Sequence, residues 1–384
     1  MYPETGKEEI GLKNILIVED SKAFARAVQT KIKKQPGYNC VVTHTFAEAK
    51  TVLAKKDPDF FMAILDLVLP DAANGEIVEH VVGLKIPAVV LTGGFNDDIR
   101  ESVLSKNVVD YILKEGPQSL DYLIDVIRRI DKNRNTKVLI VDDSGVSRKM
   151  IRKLLEIQRF IVLEAPNGKK ALDILERHSD IKLVITDYNM PVMDGFELTS
   201  EIRKKYLTDT LGVIGISAHG NSVLSAGFLK KGANDFVIKP FGNEEFFWRI
   251  HQVIEMLEHI GSLKKAAMYD YLTGLYNRRY FFELGGTLFR NAQRDNIDFA
   301  IAMVDIDNFK NINDQYGHEC GDRVLKHISG IIQNHFRSSD VVSRFGGEEF
   351  CILATNMGKA SCKNHFEGLR LAVESEGITF DLNP

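Results

Sequence analysis

The 384-residue sequence lacks the features that mark secreted, membrane-spanning or nucleic-acid-binding proteins. Its four cysteines, Cys40, Cys320, Cys351 and Cys362, match no metal-binding spacing, so we interpret them as reduced thiols of a cytoplasmic protein. No apolar run approaches the roughly 20 residues of a membrane-spanning helix, and the amino terminus has no apolar signal-peptide core. With a net charge of −4, the chain has no basic surplus for nucleic acid or an acidic membrane surface.

The chain is too long for one typical core, and its first two thirds contain an internal repeat. Four short apolar runs occur in the same order twice: residues 15–18, 62–65, 88–91 and 110–113 correspond to residues 138–141, 183–186, 213–216 and 235–238. Helical patterns fill the gaps between these runs. Buried strands that alternate with helices predict two doubly wound parallel α/β sheets, each with its site at the carboxyl ends of the strands.

In both repeats the strands end in the same kinds of polar residue: an acidic pair, an aspartate, a hydroxyl and a lysine. These are Glu19-Asp20, Asp66, Thr92 and Lys114 in the first repeat, and Asp142-Asp143, Asp187, Ser217 and Lys239 in the second. Three carboxylates at one sheet edge repel one another unless a cation lies between them, which predicts Mg²⁺. Ordinary capping of a strand end could account for one such residue. It accounts poorly for four polar strand ends that recur in the same order in both repeats.

This constellation resembles the receiver domain of two-component response regulators, a flavodoxin-like fold. The resemblance implies that a histidine kinase or a phosphotransfer protein phosphorylates Asp66 and Asp187. It also implies that the acidic pairs bind Mg²⁺ together with the backbone carbonyls of Val68 and Asn189, and that the hydroxyls and lysines contact the phosphoryl group.

The resemblance assigns a switching role to the aromatic residues Tyr111 and Phe236, for which an ordinary half-buried place in the sheet stays open. The second repeat matches the family pattern fully. The first has Glu19 where aspartate is usual, one extra residue before Gly75, and Glu115 after its lysine. Because glutamate also binds Mg²⁺, we expect both repeats to be phosphorylated, with a purely adaptor role for the first as the alternative.

The last third of the chain combines a glycine-containing hairpin with an acidic strand end. Gly346-Gly347 between apolar runs predicts a β-hairpin that carries Glu348 and Glu349. The continuous apolar run 299–304 predicts a strand that is buried on both faces and ends at Asp305. Carboxylates of these two segments predict a site for a hard divalent cation, and Lys310 would face any phosphate that the cation held.

Residues 270–279, 305–314 and 316–318, together with the hairpin, closely resemble the GGDEF family of diguanylate cyclases, a mixed α/β fold of nucleotidyl-cyclase type. The resemblance implies that two GTP molecules are condensed to cyclic di-GMP, with Mg²⁺ or Mn²⁺ bound. It implies metal binding by Asp305, the carbonyl of Ile306 and Glu348; catalysis by Glu348, Glu349, Lys310 and Arg344; substrate binding by Phe309, Lys310, Asn313 and Asp322; and product inhibition at Arg337 and Asp340.

A single hairpin gives one GTP site per chain, whereas the product joins two nucleotides by two bonds, so we expect a homodimer. The apolar stripe within residues 244–265 predicts a helix, which is either a dimer-forming coil or the last helix of the second repeat. We place the domains at residues 12–132, 136–258 and 259–384.

The resemblance also implies a further strand and helix after Pro384, so we expect the last domain to be incomplete in this sequence. Two functions therefore stay open. One is a phosphorylation-controlled diguanylate cyclase. The other is a catalytically inactive, phospho-switched scaffold or cyclic di-GMP sensor.

Overall fold

The computed structural model describes residues 12–54, 59–94, 103, 105–218 and 222–377. The first repeat contains β1 (Lys13–Val18), α1 (Lys22–Lys33), β2 (Tyr38–Thr43), α2 (Phe46–Leu53), β3 (Phe60–Asp66), α3 (Glu76–Gly83), β4 (Ala88–Thr92), β5 (Asp110–Leu113) and α4 (Pro117–Asn133). The second contains β6 (Lys137–Val141), α5 (Gly145–Ile157), β7 (Ile161–Ala165), α6 (Gly168–Arg177), β8 (Ile181–Asp187), α7 (Gly195–Lys205), β9 (Gly212–Ser217), α8 (Ser222–Lys230), β10 (Asp235–Ile238) and α9 (Asn243–Met268). The last domain contains β11 (Tyr276–Asn277), α10 (Arg278–Asp295), β12 (Phe299–Asp305), α11 (Phe309–Tyr316), α12 (His318–His335), β13 (Val341–Gly346), β14 (Glu349–Thr355) and α13 (Lys359–Ser375).

The first repeat folds around a parallel sheet with the strand order β2-β1-β3-β4-β5. Alternate residues of each strand face opposite sides, so the apolar runs supply two cores. Helices α2 and α3 cover one face of the sheet, and α1 and α4 cover the other. This arrangement confirms the predicted doubly wound sheet and gathers the carboxyl ends of the central strands at one edge.

The second repeat has the same topology, with the strand order β7-β6-β8-β9-β10 and all pairs parallel. Helices α5 and α9 pack on one face, and α6, α7 and α8 pack on the other. The first half of α9 buries Phe246, Ile250, Val253 and Leu257 against its own sheet. This part of α9 is therefore the last helix of the second repeat, and the helix continues through Gly261 to Met268.

The last domain has a mixed sheet in the order β11-β13-β14-β12, in which β11 and β13 are parallel and the other pairs are antiparallel. Helix α12 packs on this sheet through a stripe that includes Val324, Ile328 and Ile332. The expectation that residues 299–304 are buried on both faces is wrong. In the described part of the sheet β12 is an edge strand, so Ile301 and Met303 remain 62% and 56% exposed.

Residues up to Leu257 form one compact unit, and those from Glu258 form a second. Among the residues that the structure describes, no helix combines the length and the apolar character needed to cross a bilayer.

Candidate functional site

In the first repeat a lysine and three carboxylates meet at the carboxyl edge of the sheet. Lys114, directly after β5, donates a hydrogen bond of 2.7 Å to Asp66, and its Nζ lies 2.8 Å from Oε2 of Glu19. Glu19 and Asp66 are buried, whereas Asp20 is exposed. Ligand oxygens of Glu19, Asp20 and Asp66 all lie within 4.8 Å of one another. Within the described ranges, this is the one group of three or more metal-ligating side chains that approach so closely.

The electrostatics of this group fit a divalent cation. Burial raises the pKa of Glu19; the contact with Lys114 opposes this rise, and the neighbouring Asp66 adds to it. Burial lowers the pKa of Lys114, but its contacts with Asp66 and Glu19 outweigh that effect and raise the pKa overall. Oε2 of Glu19 is buried and lies 2.8 Å from Nζ of Lys114. Buried carboxylate oxygens at a sheet edge are also ligands that Mg²⁺ uses.

The second repeat places Lys239 between two carboxylates of its own. The Nζ atom of Lys239 lies 2.8 Å from Oδ2 of Asp142 and 2.8 Å from Oδ1 of Asp187. Ser147 completes this group, because its hydroxyl donates a 2.5 Å hydrogen bond to Asp142 and accepts one of 3.1 Å from Lys239. The sequence reasoning missed Ser147. An alignment of the two repeats could have found it, because it occupies the position of Phe24 in the first repeat.

The loops that follow the two central aspartates turn back onto them. The backbone N–H of Val68 donates to Asp66 at 3.4 Å, and that of Asn189 donates to Asp187 at 2.9 Å. These bonds hold Val68 and Asn189 beside the aspartates, and metal binding by their carbonyls stays a prediction.

The predicted hydroxyl residues lie on the strands beside the aspartates. In the strand register Asp66 pairs with Leu91, next to Thr92, and Asp187 pairs with Ile216, next to Ser217. Both hydroxyl residues are buried.

The two candidate switch aromatics differ in their surroundings. Tyr111 is half-buried, and its hydroxyl donates a 3.1 Å hydrogen bond to the carbonyl of Gly94. Phe236 is buried against Phe228, with ring centroids 5.3 Å apart. A switching role for either residue stays a prediction.

The last domain brings its predicted acidic residues to one end of the sheet. In the antiparallel register of β12 and β14, Asp305 lies directly opposite Glu349. The hairpin turns at Gly347-Glu348, between the end of β13 and the start of β14, which confirms the predicted hairpin. Gly347 has a φ of +51°, a left-handed conformation that favours glycine. Asp305, Glu348 and Glu349 thus share the hairpin end of the sheet, but within the described ranges their carboxylate oxygens do not form a group whose members all lie within 4.8 Å of one another.

The turn after Asp305 leads into α11 and separates a buried residue from an exposed one. The N–H of Phe309 approaches the carbonyl of Ile306 at 3.4 Å. The Phe309 side chain lies in the hydrophobic core of the domain, whereas Lys310 is exposed in the first turn of α11. Phe309 therefore anchors the turn from inside, and Lys310 is available to an anionic ligand.

Helices α11 and α12 approach each other closely at Gly321, a residue without a role in the sequence reasoning. A Cβ atom on Gly321 would lie only 2.0 Å from Oδ1 of Asn313 and 3.2 Å from the ring of Phe309. The absence of a side chain on Gly321 thus allows the half-buried Asn313 to occupy its place. The neighbouring residue, Asp322, is exposed.

Arg344 connects the hairpin to the entrance of the domain. Its Nε donates a 3.0 Å hydrogen bond to the carbonyl of Gly347, and its Nη1 lies 3.2 Å from Oδ1 of Asp270. Asp270 also accepts hydrogen bonds from the N–H and the hydroxyl of Thr273 at 2.9 and 2.6 Å. Burial raises the pKa of Asp270, but the bonds from Thr273 and Arg344 outweigh this effect and lower the pKa overall. Asp270, to which the sequence reasoning gave no role, fixes the hairpin through Arg344.

The predicted product site lies in the turn before β13. Asp340 accepts hydrogen bonds from the backbone N–H groups of Arg337, at 3.1 Å, and Thr355, at 3.3 Å. The Arg337 side chain is exposed. Asp340 therefore stabilises the turn, and the Arg337 guanidinium is accessible from solvent.

Two family models match successive parts of this chain. The family model described as "Response regulator receiver domain" matches residues 15–128 and 138–251. The family model described as "Diguanylate cyclase, GGDEF domain" matches residues 267–384.

Individual proteins are similar to different shares of this chain. The response regulator PleD of Caulobacter vibrioides is 25% identical over 404 residues, which cover 95% of this chain and 87% of that protein. The diguanylate cyclase DgcP of Pseudomonas aeruginosa is 40% identical over 136 residues, or 32% of this chain and 20% of that protein. A crystal structure described as a putative two-component system response regulator/GGDEF domain protein is 38% identical and superimposes with a TM-score of 0.57, covering 64% of this chain and 99% of that one. The chain therefore belongs to the response regulators and consists of two receiver domains followed by a GGDEF domain.

Proposed function

We propose that this protein is a phosphorylation-controlled diguanylate cyclase, which condenses two molecules of GTP to cyclic di-GMP and two pyrophosphates. The observation that carries the proposal is the strand register that sets Asp305 opposite Glu349, with Glu348 at the adjoining hairpin tip. The match of this segment to the GGDEF family model supports the same activity.

Each residue of the site has a part in this reaction. Asp305, the carbonyl of Ile306 and Glu348 would hold Mg²⁺ or Mn²⁺, which would neutralise charge on the triphosphate. Glu348 takes the proton from the 3′-hydroxyl as it attacks the α-phosphorus of the second GTP, with Glu349 beside it. Lys310, exposed at the start of α11, pairs with the negative charge that develops on the phosphoryl oxygens.

Other residues bind the base and hold the hairpin. Asn313 and Asp322 offer an amide and a carboxylate, which complement the acceptors and donors of a guanine edge. Arg344 acts as a positioning residue, because its guanidinium is engaged by Asp270 and by the hairpin carbonyl. Arg337, with Asp340 shaping its turn, binds the product as an inhibitor.

Control of the cyclase by dimerisation follows from the number of GTP sites in each chain. Each chain carries one such hairpin, and the product has two new phosphodiester bonds, so two chains face each other with two-fold symmetry. Phosphorylation of Asp187 and Asp66 by a histidine kinase or a phosphotransfer protein shifts the population toward that dimer. Lys239 and Lys114 already contact these aspartates and pair with the incoming phosphoryl charge.

The test is product formation from GTP and Mg²⁺, measured by mass spectrometry with and without beryllofluoride. We expect more cyclic di-GMP with beryllofluoride, and a fall of at least ~100-fold in Glu348→Gln, since the variant lacks the general base. Glu283→Gln, an exposed change in the same domain, should keep full activity. Wild-type turnover in Glu348→Gln contradicts the catalytic assignment. Binding of cyclic di-GMP without any turnover by the wild-type chain instead supports the inactive sensor.

A further inference from the structure

In the first receiver, the segment that joins β2 to α2 contacts both of the loops that carry the predicted metal ligands. One loop, at the end of β1, carries Glu19 and Asp20, and the other, at the end of β3, carries Asp66 and Val68. The joining segment and the first residues of α2 form the 44–47 segment. It is connected to each loop through one side chain.

The contact with the loop at the end of β1 is made by His44. Its Nδ1 lies 2.7 Å from the carbonyl oxygen of Glu19, and because a carbonyl only accepts, Nδ1 is the donor. The backbone of His44 is fixed in turn, since its N–H donates a 2.7 Å hydrogen bond to the side chain of Glu48. The N–H of Glu19 also donates a 3.0 Å bond to the carbonyl of Thr43. The peptide groups on both sides of Glu19 are therefore bonded to β2 and the 44–47 segment.

The contact with the loop at the end of β3 is made by Asp71. Its Oδ1 accepts a hydrogen bond of 2.8 Å from the N–H of Phe46, and its Oδ2 accepts one of 2.9 Å from the N–H of Ala47. These bonds, that from Phe46 first, lower the pKa of Asp71, so the side chain is a carboxylate. The loop is itself compact, because Leu69 and Ala72 exchange two backbone hydrogen bonds of 3.0 and 3.1 Å. Asp71 therefore joins this loop to the start of α2.

The second receiver has neither of these side chains. In an alignment of the two repeats, their positions are occupied by Pro166 and Val192. A proline ring has no N–H to donate, and a valine side chain accepts no hydrogen bond. The loop after β8 instead makes an apolar contact, since a Cβ atom on Gly168 would lie 2.6 Å from the side chain of Met193. The polar connection through the 44–47 segment is thus specific to the first receiver.

The acidic residues of the two pockets differ in the same sense. The three of the first pocket have ligand oxygens within 4.8 Å of one another, although carboxylates at such a distance repel. In the part of the chain that the structure describes, the three of the second pocket form no such group; these are Asp142, Asp143 and Asp187. Lys114 lies between two carboxylates, but Lys239 does the same in the second pocket, so the lysine does not account for the difference. The 44–47 segment differs between the pockets and acts on both loops at once.

We propose that His44 and Asp71 are positioning residues of the first receiver, which join its two loops so that the carboxylates are gathered before a divalent cation binds. Neither side chain needs to touch the cation, because both act through the backbone. The repulsion between the carboxylates is then overcome during folding rather than on binding, and such preorganisation raises affinity. This inference deepens the proposed function, because it rests on the predicted phosphorylation of Asp66.

Hydrogen–deuterium exchange of the full chain, read by mass spectrometry, tests the first receiver separately from the second. Peptides that contain the two loops are followed through a Mg²⁺ titration, and the half-saturating concentration is taken from the protection that they gain. His44→Leu should raise this concentration about fivefold, the effect of one hydrogen bond, and Asp71→Ala about tenfold, because it removes two bonds to a charged group. Without Mg²⁺, both loops should exchange faster in either variant than in the wild type.

Two further variants separate positioning from general stability. His44→Asn keeps a side-chain N–H donor in a place similar to that of Nδ1, so it should restore a half-saturating concentration close to that of the wild type. Tyr38→Phe removes a 2.9 Å hydrogen bond to Asp131 at the opposite end of β2. It should lower the Tm, as the loss of a bond to a charged group does, and leave Mg²⁺ binding unchanged.

Three results overturn the proposal: wild-type Mg²⁺ binding in both His44→Leu and Asp71→Ala, an equal weakening in Tyr38→Phe, or no recovery in His44→Asn. The last two would trace the effect to general destabilisation. If the loops of the wild-type chain gain no protection from Mg²⁺, the predicted phosphorylation of Asp66 is contradicted, and the positioning role is contradicted with it. The two failures are distinguishable, because only the failure of the proposed function appears in the wild type.

Discussion

The close approach of α11 and α12 makes Gly321→Ala a sharp test of the nucleotide site. The added Cβ would lie 2.0 Å from Oδ1 of Asn313, whereas real Cβ atoms essentially never come within 3.0 Å of a neighbour. The amide must therefore move by at least the difference, 1.0 Å. Because a misplacement of about 1 Å can cost ~100-fold in an enzyme site, we expect a strong loss of GTP recognition.

The kinetic parameters of Gly321→Ala show whether a loss of activity comes from displaced Asn313 or from general destabilisation. If Asn313 reads guanine, the variant should raise KM for GTP by about tenfold or more and reduce the preference for GTP over inosine triphosphate, which lacks the exocyclic amine. Overpacking typically destabilises by about 1–3 kcal/mol, and the change from glycine to alanine in a helix returns up to ~1 kcal/mol. Unfolding in urea should accordingly show a net loss of roughly 0–2 kcal/mol.

Gly330→Ala is the matched control on the same helix. A Cβ on Gly330 meets nothing within 4 Å, so this variant should gain up to ~1 kcal/mol and keep its kinetics. Steady-state kinetics with both nucleotides and urea unfolding measure all of these quantities. If Gly321→Ala is stabilised like Gly330→Ala and keeps the wild-type KM, the reasoning from the close contact is refuted.

Four further predictions follow from the described contacts. Arg344→Lys loses the fork that joins Asp270 to the hairpin, so urea unfolding should show about 1–2 kcal/mol less stability and turnover should fall; unchanged turnover contradicts the positioning role. Folding lowers the pKa of Asp270, so its carboxylate stabilises the fold above its unfolded pKa of about 3.9, and this contribution disappears as the pH falls through the folded pKa. Asp270→Asn should therefore reduce the loss of unfolding free energy at acid pH, measured by urea unfolding across a pH series. Ser147→Ala removes a hydroxyl that bonds both Asp142 and Lys239, and it should weaken beryllofluoride binding about tenfold, measured by calorimetry; Ser200→Ala is the control. Mass spectrometry after treatment with acetyl phosphate should find two phosphoryl groups on the wild-type chain and one on either Asp187→Asn or Asp66→Asn, and an unmodified Asp66 would favour the adaptor role of the first receiver.

The sequence predicts most of the receiver architecture because its signals are local. Each parallel strand is a short apolar run. The residue that follows the run lies at the carboxyl edge of the sheet, and this position does not depend on the length or conformation of the loops. The repetition of Asp66 by Asp187 and of Lys114 by Lys239 adds a second, independent copy of the pattern. The structure duly brings each lysine into contact with its aspartate.

Features that depend on distant residues were not predictable in this way. The exposure of Ile301 and Met303 follows from the position of β12 in the sheet, which the apolar run alone does not encode. The pair of Arg344 and Asp270 joins residues 74 positions apart. The need for a glycine at position 321 depends on how α11 and α12 cross.

The contact between the receivers, in which Nε2 of Gln158 donates a hydrogen bond to the carbonyl of Val109, is a further long-range feature. It depends on the docking of two repeats, and an internal repeat reveals that two similar domains exist without revealing how their surfaces meet. The packing of the first half of α9 on its own sheet likewise became clear only from its buried contacts.

The two receiver pockets differ in one neighbour of the lysine that follows the last strand of the sheet. In the first, Nζ of Lys114 lies 5.1 Å from the centre of the Phe24 ring, and in the second, Lys239 contacts the Ser147 hydroxyl. An acyl phosphate decays when water attacks it; a hydroxyl can hold that water, whereas a phenyl ring keeps it away. If both aspartates are phosphorylated as proposed, we expect the phosphoryl group on Asp187 to be hydrolysed faster than the one on Asp66.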